Sequence, residues 1–223
     1  MPRHVSKSSL ASRGQDFAED LFAPVGEREP RSLAELNEEM AAAGPMVEGG
    51  KRAVFGEGPV GAALALVGEQ PGDQEDLQGR PFVGPAGLLL DRAMTAAGID
   101  RSQSYVTNAV KHFKFQQRGK RRIHEKPTMG EVKHYRWWLF KELQFVHPKL
   151  VVALGGTAAY ALAGKAVTIG KSRGPAEFGE FHGFITVHPS AMLRMRDHDE
   201  RDAAFRDFVH DLKDARRLAA QAH

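Results

Sequence analysis

Short apolar runs alternate with segments of helical apolar spacing along most of this 223-residue chain. Runs of this kind, bounded by polar or glycine-rich stretches, are typical of buried strands. Core strands are predicted at 62–67, 105–107, 150–154 and 184–187, the last as the second arm of a hairpin at 178–187. Helices are predicted at 32–43, 85–97, 128–147, 157–163 and 199–220, with Ser32 and Thr128 as N-caps. The alternation indicates an α/β domain with a mostly parallel central sheet.

Composition narrows the setting in which the chain works. Residues 1–31 are rich in Ser, Arg, Pro and Glu, which predicts a mobile tail before a single domain at 32–220. No apolar run approaches the roughly 20 residues that span a bilayer, and the first residues lack the apolar stretch of a secretory signal. The absence of cysteine excludes disulfides and thiolate chemistry. We expect a cytoplasmic protein that works away from membranes, with a monomer as the default for its length.

The excess positive charge lies in one segment, residues 111–126. That segment has seven Lys or Arg residues and one acid, Glu125, for a net charge of +6, whereas the whole chain carries only +3. The remainder of the chain therefore sums to −3. A field this concentrated is typical of a polyanion site, although a charged run can also be a solvated loop. His124 lies within the segment, which points to chemistry as well as binding.

Polar side chains follow the predicted strands. Glu69 and Gln70 come after the first strand, Asn108 after the second, and His188 after the last. A lone Asn or His at such a place is usually a turn or capping residue. Because the carboxyl ends of parallel strands meet at one edge of a sheet, these residues are expected to converge there with His124. Convergence favours a functional site over four separate turns.

Several common sites are absent. Residues 56–61 match G-x-G-x-x-G, but they precede the strand and include Pro59, so they do not form a dinucleotide-binding turn. The chain has no Walker A motif, no nucleophile elbow of the G-x-S-x-G type, and no convincing metal-ligand spacing.

Five motifs in order resemble the uracil-DNA glycosylase superfamily over residues 54–212. They are VFGEG at 54–58, GEQPG at 68–72, GRPFVGPAG at 79–87, YVTN at 105–108 and HPS at 188–190. Gln70 within GEQPG and the inserted KRRIH at 120–124 resemble the UdgX-type branch, whose members bond covalently to DNA through the loop histidine. The resemblance implies a three-layer α/β/α sandwich with a four-stranded, mostly parallel central sheet.

The resemblance also implies roles for individual residues. His124 would be the nucleophile, Glu69 its supporting carboxylate, and His188 the residue that faces the base oxygen. Uracil would be held by Gln70, stacked on Phe82 and paired with Asn108. The residues expected to contact DNA, single-stranded by preference, are Lys111, Lys114, Lys120, Arg121, Arg122 and Ser190. Two alternatives remain open: an ordinary turnover glycosylase, and a non-catalytic binder of single-stranded DNA or nucleotides.

The chain departs from this branch in its metal chemistry. Relatives usually carry an iron–sulfur cluster on cysteines, with one pair shortly before the VFGEG motif. Here residues 40–50 contain no cysteine, and Tyr135 stands at a further ligand position. We therefore predict that no cluster or other cofactor is bound and that apolar packing by Met46 and Tyr135 replaces the metal. His112 is expected near the same place, without an assigned role.

Overall fold

The computed structural model describes residues 29–222, so nearly all of the tail predicted at 1–31 lies outside the described residues. Within the described part, the helices are α1 (Leu33–Ala43), α2 (Asp73–Gln78), α3 (Pro85–Ala96), α4 (Met129–Val146), α5 (Gly156–Ala163), α6 (Ile169–Ser172), α7 (Ser190–Leu193) and α8 (His198–Gln221), with a 3₁₀ turn at Arg101–Gln103. The predicted caps are confirmed, since Ser32 and Thr128 each accept the backbone N–H three residues on. No helix between residues 29 and 222 is both long and apolar enough to cross a membrane.

The central sheet has five strands instead of the predicted four. The strands of the described chain are β1 (Leu64–Gly68), β2 (Tyr105–Asn108), β3 (Phe115–Arg118), β4 (Arg121–His124), β5 (Leu150–Leu154), β6 (Gly174–Phe178) and β7 (Phe181–Thr186). The sheet order is β2-β1-β5-β7-β6. The four predicted strands are parallel, and β6 adds an antiparallel edge against β7. Pro175 and the alternating burial of β6 are typical of an edge strand, which explains its weak sequence signal.

Helices cover both faces of the sheet and complete the predicted α/β/α sandwich. Alternate residues of β1 face opposite ways: Ala65 and Val67 pack with α1, α4 and α5, whereas Leu64 and Leu66 pack with α3 and α8. Two apolar cores therefore lie on either side of one sheet, as expected for strands buried on both faces. This construction leaves the carboxyl ends of the strands as the open edge.

The segment predicted as a basic loop is a β-hairpin. Strands β3 and β4 form a separate two-stranded sheet, in which Phe115 pairs with His124 and Arg118 with Arg121. The turn contains Gly119 at φ 59°, in the left-handed region that glycine adopts without strain. Most of its side chains are exposed or half-exposed, so the period-2 pattern of a half-buried strand is missing from the sequence.

Candidate active site

A cavity of about 910 Å³ opens at the carboxyl ends of the parallel strands. Ligands bind at this place in open α/β sheets, and the volume is in the usual range for ligand pockets. The residues predicted for catalysis or uracil binding all line it, as does Ser190: Glu69, Gln70, Phe82, Asn108, His124 and His188. Their predicted convergence is therefore confirmed, while their individual roles remain predictions.

Glu69 directly follows β1 and lies between two side chains from other elements. Its Oε1 is 3.4 Å from Nε2 of His124 at the end of β4. Its Oε2 accepts a hydrogen bond from the hydroxyl of Thr157, in the first turn of α5. Thr157 was not predicted as a site residue. It follows Gly155–Gly156 after β5, and its partner Glu69 is 88 positions away in the sequence, so no local pattern indicated the contact. The hydroxyl of Thr157 thus holds one carboxylate oxygen and leaves the other beside the histidine.

Gln70 ties the same loop to the hairpin. Its Nε2 donates to the backbone carbonyls of Lys114 at 3.2 Å and Glu125 at 2.9 Å, and its Oε1 accepts the N–H of Lys114 at 3.1 Å. The same Nε2 lies 2.9 Å from Nε2 of His124. With 8% of its surface exposed, Gln70 anchors both ends of the hairpin. Its predicted contact with substrate stays a prediction.

Arg122 provides a second anchor for the hairpin. Its guanidinium lies 2.6 Å from Asp73 Oδ1 and 2.5 Å from Asp76 Oδ2, both on α2, and it covers the rings of Phe113 and Phe115. We predicted a phosphate contact for this side chain. Two carboxylates already balance its charge, so in this structure it positions the strand that carries His124.

Phe82 sits in the cavity wall on a backbone that only close packing allows. Its φ is 57°, unusual for a residue with a side chain, and it is 6% exposed. A Cβ on Gly87 would lie 1.8 Å from the carbonyl oxygen of Phe82. A Cβ on Gly68 would lie 2.4 Å from Asn108 Oδ1 and 2.6 Å from Phe82 Cζ. The two glycines therefore let the aromatic ring and the amide meet at the end of β1.

Glu75 joins the two loops that form this wall. Its Oε2 accepts the N–H of Gly72, after the GEQPG motif, and its Oε1 accepts the N–H of Gly84, after Phe82. One buried carboxylate thereby caps α2 and α3 together. Sequence reasoning missed it, although its position three residues after Gly72 fits a capping box.

His188 is held as a hydrogen-bond donor toward the cavity. The N–H of Ser190 donates to its Nδ1 at 3.2 Å, so Nδ1 carries the lone pair and Nε2 the proton. Burial lowers the pKa of His188 to about 4 against the opposing Glu69 charge, which keeps the ring neutral at physiological pH. Its ring lies 6.2 Å from that of Phe82, centroid to centroid. A neutral N–H donor therefore stands beside the aromatic wall.

The predicted phosphate contacts divide into buried and exposed groups. Lys111 is 2% exposed and its ammonium lies 2.6 Å from Glu142 Oε2, so in this structure its charge is paired inside the protein, and its DNA contact stays a prediction. Lys114 is also buried, and it pairs with Glu131 at 2.9 Å. Lys120 and Arg121, at the hairpin turn, are exposed. Charge counting alone did not separate these groups because their acidic partners lie in other elements.

Comparison with known proteins identifies the family. The family model for the uracil DNA glycosylase superfamily matches residues 55–213. The chain belongs to the uracil-DNA glycosylase superfamily. It is 37% identical over 157 residues to a type-4 uracil-DNA glycosylase of Thermotoga maritima, covering 69% of this chain and 78% of the relative. It is 35% identical over 153 residues to a type-4 uracil-DNA glycosylase of Pyrobaculum aerophilum, covering 65% and 74%.

The residues of this superfamily member do not fit an iron–sulfur cluster. The chain has no cysteine, and residues 29–222 contain no group of three or more His, Asp or Glu side chains placed to hold a metal ion. Met46 and Tyr135 pack in one apolar core, as predicted. In addition, the Tyr135 hydroxyl accepts the N–H of Met46 at 3.0 Å and lies 2.7 Å from Nδ1 of buried His112. A hydrogen-bonded tie therefore joins the segment before the VFGEG motif to α4.

Proposed function

We propose that this glycosylase-superfamily protein excises uracil from DNA and remains covalently bonded to the abasic sugar through His124. The observation that carries the proposal is the place of His124. Its side chain is 48% exposed, lies 3.4 Å from Glu69, and lines the same cavity as His188, Asn108 and Phe82. The similarity to type-4 uracil-DNA glycosylases supports the excision step.

The cavity wall suits a flipped uracil. Base stacking on an aromatic ring such as Phe82 contributes about 1–3 kcal/mol. The amide of Asn108 can donate to O4 and accept N3–H, a pattern that cytosine reverses. Cytosine in the cavity would leave buried polar groups without hydrogen-bond partners, which would weaken its binding by about 1–3 kcal/mol. The Nε2–H of His188 would donate to O2, where negative charge develops as the base leaves.

Bond exchange at the anomeric carbon would then proceed without water. The bond from C1′ to N1 breaks and its electrons leave with uracil, which later takes a proton from solvent. A lone pair of the neutral imidazole of His124 forms the new bond to C1′ and gives an imidazolium. Glu69 stabilises the positive charge on the sugar and then on the ring. An alkylated imidazolium is not an ester, so hydrolysis has no easy path and one turnover ends the reaction.

DNA would reach this cavity most readily as a single strand, because no base pair has to be broken before the uracil flips. Lys120 and Arg121, exposed at the hairpin turn, would contact phosphates beside His124. Ser190 would contribute from the opposite loop, next to His188. We propose that a monomer is sufficient, since one chain supplies the whole cavity wall.

A denaturing gel tests the proposal. The protein is mixed with a uracil-containing single-stranded oligonucleotide, heated in SDS and run beside a thymine control. We expect a shifted band that His124→Ser abolishes and that His134→Ser, an exposed histidine on α4, retains. Abasic DNA without a shift would indicate a turnover glycosylase. Intact uracil DNA would indicate a non-catalytic binder, and an adduct that persists in His124→Ser would remove His124 as the nucleophile.

A further inference from the structure

We infer that Gln70 selects the tautomer of His124, placing the lone pair on Nε2, so that this nitrogen forms the bond to the sugar. Gln70 is then a positioning residue that acts through the histidine. The inference rests on the proposed role of His124 as the nucleophile. It differs from the predicted role of Gln70, which was to hold the substrate.

The orientation of the Gln70 amide follows from its backbone partners. The N–H of Lys114 can only donate, so the atom 3.1 Å from it must be the amide oxygen. The carbonyls of Lys114 and Glu125 can only accept, so the atom 3.2 and 2.9 Å from them must be the NH₂ group. A flipped amide would place like groups together at all three contacts. The NH₂ face toward His124 is therefore fixed by the chain itself.

An amide NH₂ has no lone pair to offer, and this decides the state of the facing ring nitrogen. Nε2 of His124 lies 2.9 Å from Gln70 Nε2, so a proton on the histidine nitrogen would oppose a donor. The Glu69 carboxylate favours the other tautomer, but its Oε1 is more distant, at 3.4 Å, and its Oε2 is engaged by Thr157. The shorter contact with Gln70 prevails, and the proton of the neutral ring resides on Nδ1.

The contacts of Gln70 also allow Nε2 of His124 to leave the amide and approach the sugar. Gln70 has two amide hydrogens and three acceptors: the carbonyls of Lys114 and Glu125, and Nε2 of His124. When Nε2 turns to C1′, both hydrogens still have a carbonyl partner, so no buried donor is left unsatisfied. His188 is held in the opposite tautomer by the Ser190 N–H. One cavity thus contains a nucleophilic Nε2 and a proton-donating Nε2–H.

Nitrogen NMR of the free protein measures the tautomer directly. Protein labelled with ¹⁵N in histidine is examined at about pH 8, where imidazole side chains are ordinarily neutral, and the signals of His124 are assigned by their loss in His124→Ser. We expect a protonated Nδ1 and an unprotonated Nε2 for His124, and the reverse for His188. A predominant Nε2–H form of His124 would overturn the inference. This measurement needs no variant of Gln70 and no DNA.

Two substitutions at Gln70 extend the test. Gln70→Glu presents a carboxylate to Nε2 of His124 and should move the ring proton to that nitrogen. Gln70→Met keeps a side chain of similar length but removes the amide, and with it the preference for the Nδ1–H tautomer. Adduct formation should slow at least about ten-fold in Gln70→Glu, while uracil release, measured by chromatography, falls less. An unchanged tautomer in Gln70→Glu would contradict the assignment.

The two proposals fail separately. If wild-type protein shows the Nδ1–H tautomer but no adduct on the gel, the proposed function fails and the tautomer assignment stands. An adduct together with an Nε2–H ring would leave the proposed function standing and remove Gln70 as the selecting group.

Discussion

Replacing Lys111 with Met separates a structural lysine from a DNA-binding one. The ammonium of Lys111 donates to Thr107 Oγ1 at 2.6 Å, to the carbonyl of Asn108 at 2.7 Å and to Glu142 Oε2 at 2.6 Å. All three of its hydrogens are therefore used inside the protein. Burial lowers the pKa of Lys111, and the charge of Glu142 opposes that shift. Removing the ammonium would leave the carboxylate buried without a cation.

The expected loss follows from the surroundings of Glu142, which is 2% exposed. The hydroxyls of Tyr105 and Thr107 and the N–H of Gly56 still donate to its carboxylate in the variant, but they carry no charge. Breaking a buried pair by removing one partner costs about 3–5 kcal/mol. Domains of this kind have about 5–15 kcal/mol of stability in all, so Lys111→Met should remove about a fifth of it or more.

Urea unfolding, followed by the fluorescence of Trp137 and Trp138, measures the loss. Lys120→Met, at the exposed hairpin turn, is the matched control and should stay within about 0.5 kcal/mol of the wild type. For DNA binding we expect the opposite pattern. Lys120→Met should reduce the slope of log binding constant against log salt concentration by about 1, and Lys111→Met should leave that slope unchanged. A Lys111→Met protein of wild-type stability with a reduced salt slope would refute the reasoning. Adding Glu142→Gln should recover part of the loss, because the unpaired charge is then gone while the amide oxygen still accepts from the neutral donors.

Three further outcomes are expected. Burial lowers the pKa values of His112 and His188 from the ordinary 6.5 to about 4. Between pH 6.5 and pH 4 the unfolded chain therefore binds more protons than the folded one, and the free energy of unfolding falls as the pH drops through that range. Equal urea midpoints at pH 7 and pH 5 would contradict this. Glu75→Gln loses one of two backbone N–H contacts, which should cost about 1–3 kcal/mol. By loosening Phe82 it should also raise the protein concentration at which excision from uracil DNA, measured under single-turnover conditions, is half-maximal. An unchanged concentration would show that Glu75 does not hold Phe82 in place. Purified protein should contain no stoichiometric iron or acid-labile sulfide, and stoichiometric iron would defeat the prediction that no cluster is bound.

The parallel strands were predictable because burial on both faces produces continuous apolar runs, as in 150–154, which matches β5. The helix caps were predictable because Ser32 and Thr128 act on residues three positions away. The hairpin β3–β4 was not, since its exposed strands have no apolar face to show a period of two. Local sequence signals therefore predicted the buried strands and the helices, but not the solvent-exposed hairpin.

The same distinction applies to the site. Strand ends meet at one edge of a parallel sheet, so topology alone predicted the convergence of Glu69, Asn108 and His188. The partners of individual side chains are set by tertiary packing. Glu142 lies 31 positions from Lys111, and Glu125, whose carbonyl Gln70 binds, lies 55 positions from Gln70. No local pattern connects such pairs, and for that reason a buried lysine was assigned to DNA.

The self-contained ladder of the β3–β4 hairpin makes it exchangeable. It shares no strand with the five-stranded sheet, and at its base the N–H of Glu125 donates to the carbonyl of Lys114 at 3.0 Å. The chain ends that a deletion of 115–124 would leave are therefore already neighbours, and a tight turn could join them. Insertion or loss of the whole hairpin could therefore add or remove the histidine during evolution without disturbing the five-stranded sheet. In the laboratory, the same deletion would remove the proposed nucleophile and leave the other residues of the cavity wall on the scaffold.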